Sequence, residues 1–145
     1  MTYKHKVRAA EVLVAGAGSG MIKSTDQMLS FWGGYDPATG VVLDHRHPLR
    51  GECLAGNVLV LPKGKGSSTG SAVLVDALVA GNAPSAILMK EPDEIISLGV
   101  VVFEEFYERA IPVIVLGDDD FTMALRSSYA DINPDGTVIL HESAN

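Results

Sequence analysis

The chain has 145 residues, 47% of them hydrophobic and 20% charged, with a net charge of −7. That length holds one domain with a real core, and the composition is globular, not disordered. The acidic balance, without a basic block, disfavours nucleic acid. The apolar regions, interrupted at Gly81, Lys90 and Asp118, fall short of a membrane span.

Residues 1–7 are basic, with no apolar segment behind them, so no secretory signal is expected and the cytoplasm is the expected location. A single domain over residues 1–145 is expected. The one cysteine, Cys53, excludes an internal disulfide and a cysteine-only metal site within the chain. It reads as an inert, partly buried thiol. An iron–sulfur cluster, if the chemistry needs one, must be held largely by another protein.

Residues 7–14 read as one strand, broken by the glycines of 16–20, with a weak helix candidate over 21–26. Residues 30–40 form a turn-rich loop with Phe31 and Trp32 beside Gly33 and Gly34. A short strand is expected over 41–43 and a buried strand over 58–61, the latter from its unbroken apolar run. The four histidines (His5, His45, His47, His141) lack metal-ligand spacing, and 45–47 reads as a polar surface or interface turn.

Residues 71–80 should form a helix closed by Gly81-Asn82. A strand follows over 85–89. Val102, Phe103, Phe106, Tyr107 and Ala110 recur at three and four, the pattern of an amphipathic helix. A strand over 111–116, a helix over 118–127 with an acidic first turn, and a strand over 137–140 complete the chain. Strand and helix alternate after residue 57, which implies parallel pairing by right-handed crossovers. The strand-rich first part should add a second layer, giving an α/β protein built as a β/β/α sandwich.

The loop Pro62-Lys63-Gly64-Lys65-Gly66-Ser67-Ser68-Thr69-Gly70-Ser71 is the strongest chemical signal. It leads from a strand into a helix, so it presents backbone N–H groups, two lysines and several hydroxyls to one point. Neither it nor residues 16–20 has the spacing of a dinucleotide fingerprint or a P-loop. Three glycines in seven residues imply a close approach or unusual backbone angles.

Residues 29–40, then Leu49-Arg50-Gly51, then 62–71 resemble the small subunit, or swivel domain, of the aconitase X family, and the likeness runs over nearly the whole chain. The loop is also similar to the G-S-S-R-E-H loop of the aconitase swivel domain, whose first serine is the catalytic base. Ser67 holds that position. Thr69 replaces the arginine, so citrate-like recognition is not expected. The resemblance implies a swivelling β/β/α fold and a hydro-lyase whose separate large subunit carries an iron–sulfur cluster and closes over this chain. No metal or cofactor is expected on the chain itself.

It further implies a small hydroxy-acid substrate: cis-3-hydroxy-L-proline in bacterial members or mevalonate 5-phosphate in archaeal ones. The stretch 89–106 is more similar to the hydroxyproline members. Both reactions remove a proton beside a carboxylate and expel a β-hydroxyl. A serine base needs fixed dipoles and positive charge around it, which the loop and Lys63 or Lys65 supply. Ser67 is thus the expected base. Ser68, Thr69 and Ser71 are expected to orient it or to cap the helix, and Lys65, Gly66, Ser68, Thr69, Ser30, Phe31, Trp32 and Gly33 are the expected substrate contacts. The reading from another class is a binding or scaffold subunit without a catalytic residue.

Overall fold

Val58–Leu61, an apolar stretch with no polar position, is buried along its whole length, so both of its faces must be covered. The computed structural model describes residues 2–143. Its strands are β1 (Thr2–Arg8), β2 (Glu11–Val14), β3 (Gly18–Ser24), β4 (Val58–Leu61), β5 (Ala86–Met89), β6 (Val113–Val115), β7 (Tyr129–Ile132) and β8 (Thr137–Ser143). Its helices are α1 (Phe31–Gly34), α2 (Thr69–Ala80), α3 (Glu94–Tyr107) and α4 (Asp118–Arg126).

The eight strands form one sheet in the order β1-β8-β7-β3-β4-β5-β6-β2. Strands β3 to β6 run parallel in that order, and the flanking pairs are antiparallel. Alternate residues of β4 serve two cores. Val58 and Val60 join Ala86, Leu88, Ile114, Ala130, Val138 and Leu140 with Phe121 and Ala124 of α4. Leu59 and Leu61 join Ile87, Met89 and Val113 beneath Leu74 of α2 and Ile96, Val100 and Phe103 of α3. The expected α/β fold is therefore present as one curled sheet, with α2 and α3 over one core and α4 in the other.

The sheet curls until its ends approach. Edge strands β1 and β2 are joined by Ala9 and Ala10 alone. Ala9 N–H donates to Gly136 O at 2.9 Å, and Ala10 N–H to Val115 O at 2.8 Å.

Several expected elements differ. Residues 7–14 are two strands, because those two alanines turn the chain from one sheet end to the other. Residues 15–17, with Gly16, do separate β2 from β3, but Gly18 and Gly20 lie inside β3, and 21–24 is strand, not helix. A Cβ on Gly18 would collide with Ser85 O, and one on Gly20 would sit 2.7 Å from Gly56 O. Glycine there serves close packing. Residues 41–43 make only isolated bridges at Val41 and Val42. Helix α3 begins at Glu94, before the periodic stretch, because Asp93 caps it, its side chain accepting the Ile96 N–H at 3.0 Å. It closes before Ala110. Helix α2 ends as expected, with Gly81 in the left-handed region at φ 78°.

Candidate active site

Because β3, β4 and β5 are parallel neighbours, their C-terminal ends open on one rim, where open α/β sheets hold ligands. Backbone bonds tie the three following loops together. Lys65 N–H donates to Leu29 O at 2.9 Å, and Lys90 and Glu91 N–H both reach Pro62 O at 3.1 Å. Gly64 also bridges Leu29 in parallel.

Ser67 is half-buried just before α2. Its Oγ accepts the Thr69 N–H at 3.3 Å, and its carbonyl accepts the Gly70 N–H at 2.8 Å. The hydroxyl thus stands at the positive end of a twelve-residue helix. The three loop glycines have no positive φ. Of the two expectations, close approach and unusual angles, the first is met, and at Gly64 alone. A Cβ on Gly64 would lie 2.8 Å from Asp93 Oδ2, and one on Gly70 3.4 Å from Ile95 Cγ2. Neither Ser68 nor Ser71 caps α2 through its side chain. Ser68 makes no such bond, and Ser71 Oγ donates to Ile95 O at 2.6 Å, tying α2 to α3.

The short α1 turn sits on the first turn of α2: the Cβ position of Gly70 is 3.8 Å from both Phe31 Cβ and Trp32 N. Phe31 is buried, with its ring 5.2 Å from that of Tyr35. Trp32 is 59% exposed. Ser30 Oγ donates to Trp32 O at 3.0 Å, and Gly33 takes φ 76°. The two predicted groups of residues therefore meet, but they divide between surfaces. Phe31, Lys65 and Ser67 line a small enclosed space with Gly64, Gly70 and Asp93. Ser30, Trp32 and Gly33 line an open depression of about 600 Å³ with Asp44, His45 and Arg46. Gly66, Ser68 and Thr69 are exposed on the outer edge of the loop.

Asp93 was not among the residues expected at the site. Its signal was present in the sequence, an acid after Pro92 at the start of an apolar stretch, the pattern of a helix N-cap. His47 is buried, not superficial, its Nδ1 accepting the Leu49 N–H at 3.0 Å. Cys53 is exposed, not partly buried.

A family model described as the aconitase X swivel domain matches residues 7–140. The chain belongs to the aconitase X swivel family. Among solved structures, it superposes on Thermococcus kodakaraensis aconitase X (holo-form) with a TM-score of 0.80 and 31% identity, over 94% of this chain and 98% of that one. It is 42% identical to a cis-3-hydroxy-L-proline dehydratase of Pseudomonas aeruginosa over 99% of this chain and 24% of the relative. It is 36% identical to the phosphomevalonate dehydratase small subunit of Methanothermobacter thermautotrophicus, over 81% and 85%. This swivel chain thus spans about a quarter of the length of the hydroxyproline dehydratase it matches.

The residues of the swivel chain do not fit an iron–sulfur cluster. Among the described residues no three of His, Cys, Asp and Glu stand together to hold a metal ion. Its single thiol points at Thr39 O, 3.6 Å away. No described helix is long and apolar enough to cross a membrane.

Proposed function

We propose that this chain is the small subunit, one swivel domain long, of an aconitase X-type dehydratase acting on cis-3-hydroxy-L-proline in the cytoplasm. A larger partner closes over the Ser67 rim, and any iron–sulfur cluster is that partner's. The observation that carries the reading is Ser67 Oγ at the head of α2, beside Lys65 and under the α1 turn.

Ser67 takes the proton from the carbon that bears the carboxylate. The electron pair of that C–H bond forms the new double bond as the neighbouring C–OH bond breaks. The hydroxide leaves with the bonding pair and is released as water on taking up the proton that Ser67 removed, and the enamine product tautomerises to 1-pyrroline-2-carboxylate. Serine is a weak base in water. Here its alkoxide is favoured by the Thr69 N–H, by the dipole of α2 and by the Lys65 charge. The enclosed space around Ser67 is walled by Leu29, Phe31, Ile95 and Ile96, which keep bulk water from the proton transfer. An exposed free thiol is consistent with a reducing compartment.

Ser67→Ala in the two-subunit complex tests this. A positioned general base is worth roughly 10²–10⁴-fold, so turnover should fall by that factor with folding and subunit association intact. Exchange of the substrate α-proton with deuterated solvent should slow in parallel. Exchange as fast as wild type would move the base to the partner and leave this chain a lid.

A further inference from the structure

A second depression of about 420 Å³ adjoins the Ser67 space, with Lys65 in both walls. Its charged lining comes from three loops: Asp26 after β3, Lys63 and Lys65 after β4, and Glu91 after β5. Among the described residues none of these four side chains forms an ion pair or a hydrogen bond within the chain. Their backbones are nevertheless held in place. Lys65 and Glu91 are tied as described above, Thr25 N–H donates to Val60 O at 2.9 Å, and Gln27 N–H to Thr25 Oγ1 at 3.0 Å.

We propose that this depression is a zwitterion subsite, in which Lys63 and Lys65 take the carboxylate of the substrate and Asp26 and Glu91 take its ring ammonium. The inference rests on the hydroxyproline reading above and extends it to recognition. In cis-3-hydroxy-L-proline the carboxylate and the ammonium are both bonded to the carbon that loses the proton. With that carbon at Ser67, both charged groups lie one bond from it, beside the depression that shares Lys65 with the Ser67 space. Two cations and two anions in one depression match a molecule that carries one of each. A phosphate dianion would gain the lysines but would meet two carboxylates, and like charges held together discriminate against a partner more than they cost the right one.

The test uses the two-subunit complex with Asp26→Asn and Glu91→Gln, singly and together. Both side chains are exposed, so the neutral isosteres leave the fold unchanged. A charge-assisted hydrogen bond is worth enough for each change to raise KM for cis-3-hydroxy-L-proline about tenfold. Because the contact is the same in ground and transition states, kcat should fall less than about threefold. Two inhibitors isolate the charge: L-proline, and tetrahydrofuran-2-carboxylate, which has oxygen in place of the ammonium. The preference for L-proline should drop about tenfold or more in the double variant. An unmoved KM, a loss confined to kcat, or a retained preference for L-proline overturns the subsite while leaving the hydroxyproline reading in place. A wild-type complex that dehydrates mevalonate 5-phosphate and not cis-3-hydroxy-L-proline overturns both.

Discussion

Replacing Gly64 by alanine would place a methyl carbon 2.8 Å from Asp93 Oδ2 and 3.1 Å from Ile96 Cδ1. Ordinary contact begins near 3.4 Å, so something must shift by about half an ångström. Asp93 cannot swing away freely, because it is buried and its other oxygen caps α3. Losing that cap costs about 1 kcal/mol, and forcing a methyl into a packed site costs about 1–3 kcal/mol. Gly64→Ala should therefore destabilise by about 1–3 kcal/mol in urea unfolding, a drop of a few degrees in Tm for a domain of this size. Ser67 lies three residues on, and a displacement of about 1 Å costs on the order of a hundredfold in rate. Gly66→Ala is the control. Its nearest neighbour would be Ile95 Cδ1 at 3.7 Å, and its φ is not positive. It should be neutral or stabilise by about 0.4–1 kcal/mol through the unfolded chain. Equal unfolding midpoints for the two variants, or a Gly64→Ala enzyme with wild-type turnover, would refute the packing argument.

Trp32→Ala should leave the melting curve of the isolated chain unchanged, since the ring is mostly in solvent, and should weaken binding of the large subunit about thirtyfold, a hot-spot loss of about 2 kcal/mol. Calorimetric titration of the wild-type and Trp32→Ala chains with the partner measures it, and an unchanged fluorescence spectrum of the wild-type chain's single tryptophan on adding the partner would show that the face is not the interface. Burial, with Cys53 and Asp36 adding, pushes the Tyr35 phenol above its usual 10.0, while its O–H donates to Asn82 O. The native state holds that proton more tightly than the unfolded chain. The contribution is therefore full below 10.0 and is lost as pH rises beyond it. Unfolding free energies measured across that range should decline, and Tyr35→Phe should flatten the decline while costing about 1 kcal/mol at neutral pH. A slope unchanged by Tyr35→Phe would place the alkaline sensitivity elsewhere.

The elements legible in the sequence are those whose signals are local. Val58–Leu61 is read from its apolar run, α2 from Gly81, and α4 from three aspartates in its first turn. Gly18 and Gly20 misled because a glycine needed for close packing has the same letter as one needed for a turn, and the atoms it must avoid, on Ser85 and Gly56, are remote in sequence. Strand β7 passed unread: Tyr129–Ile132 is four residues long, shows only a half-buried alternation, and takes its pairing from β3 and β8. The start of α3 was hidden because Ile95 and Ile96 carry no helical period by themselves; the cap at Asp93 decides it. At the site, the 62–71 loop announced itself by composition. The carboxylates did not, because Asp26, Glu91 and Asp93 reach the rim from the ends of three elements, and only the parallel order β3-β4-β5 brings them together.

Thr2 pairs with Ser143 and Arg8 with Thr137. During synthesis β1 leaves the ribosome before the other described strands and waits for β8, which follows them all, so a contact spanning almost the whole described chain must close late. Until then β1 is a bare seven-residue strand with open hydrogen-bonding groups, the kind of segment that seeks strands of other chains. Its sequence carries Lys4, Lys6 and Arg8 with His5 between them, in a chain that is otherwise acidic. Those charges keep nascent copies of β1 apart. Once β8 has paired, β1 remains an edge of the sheet, and the same charges go on shielding its open side.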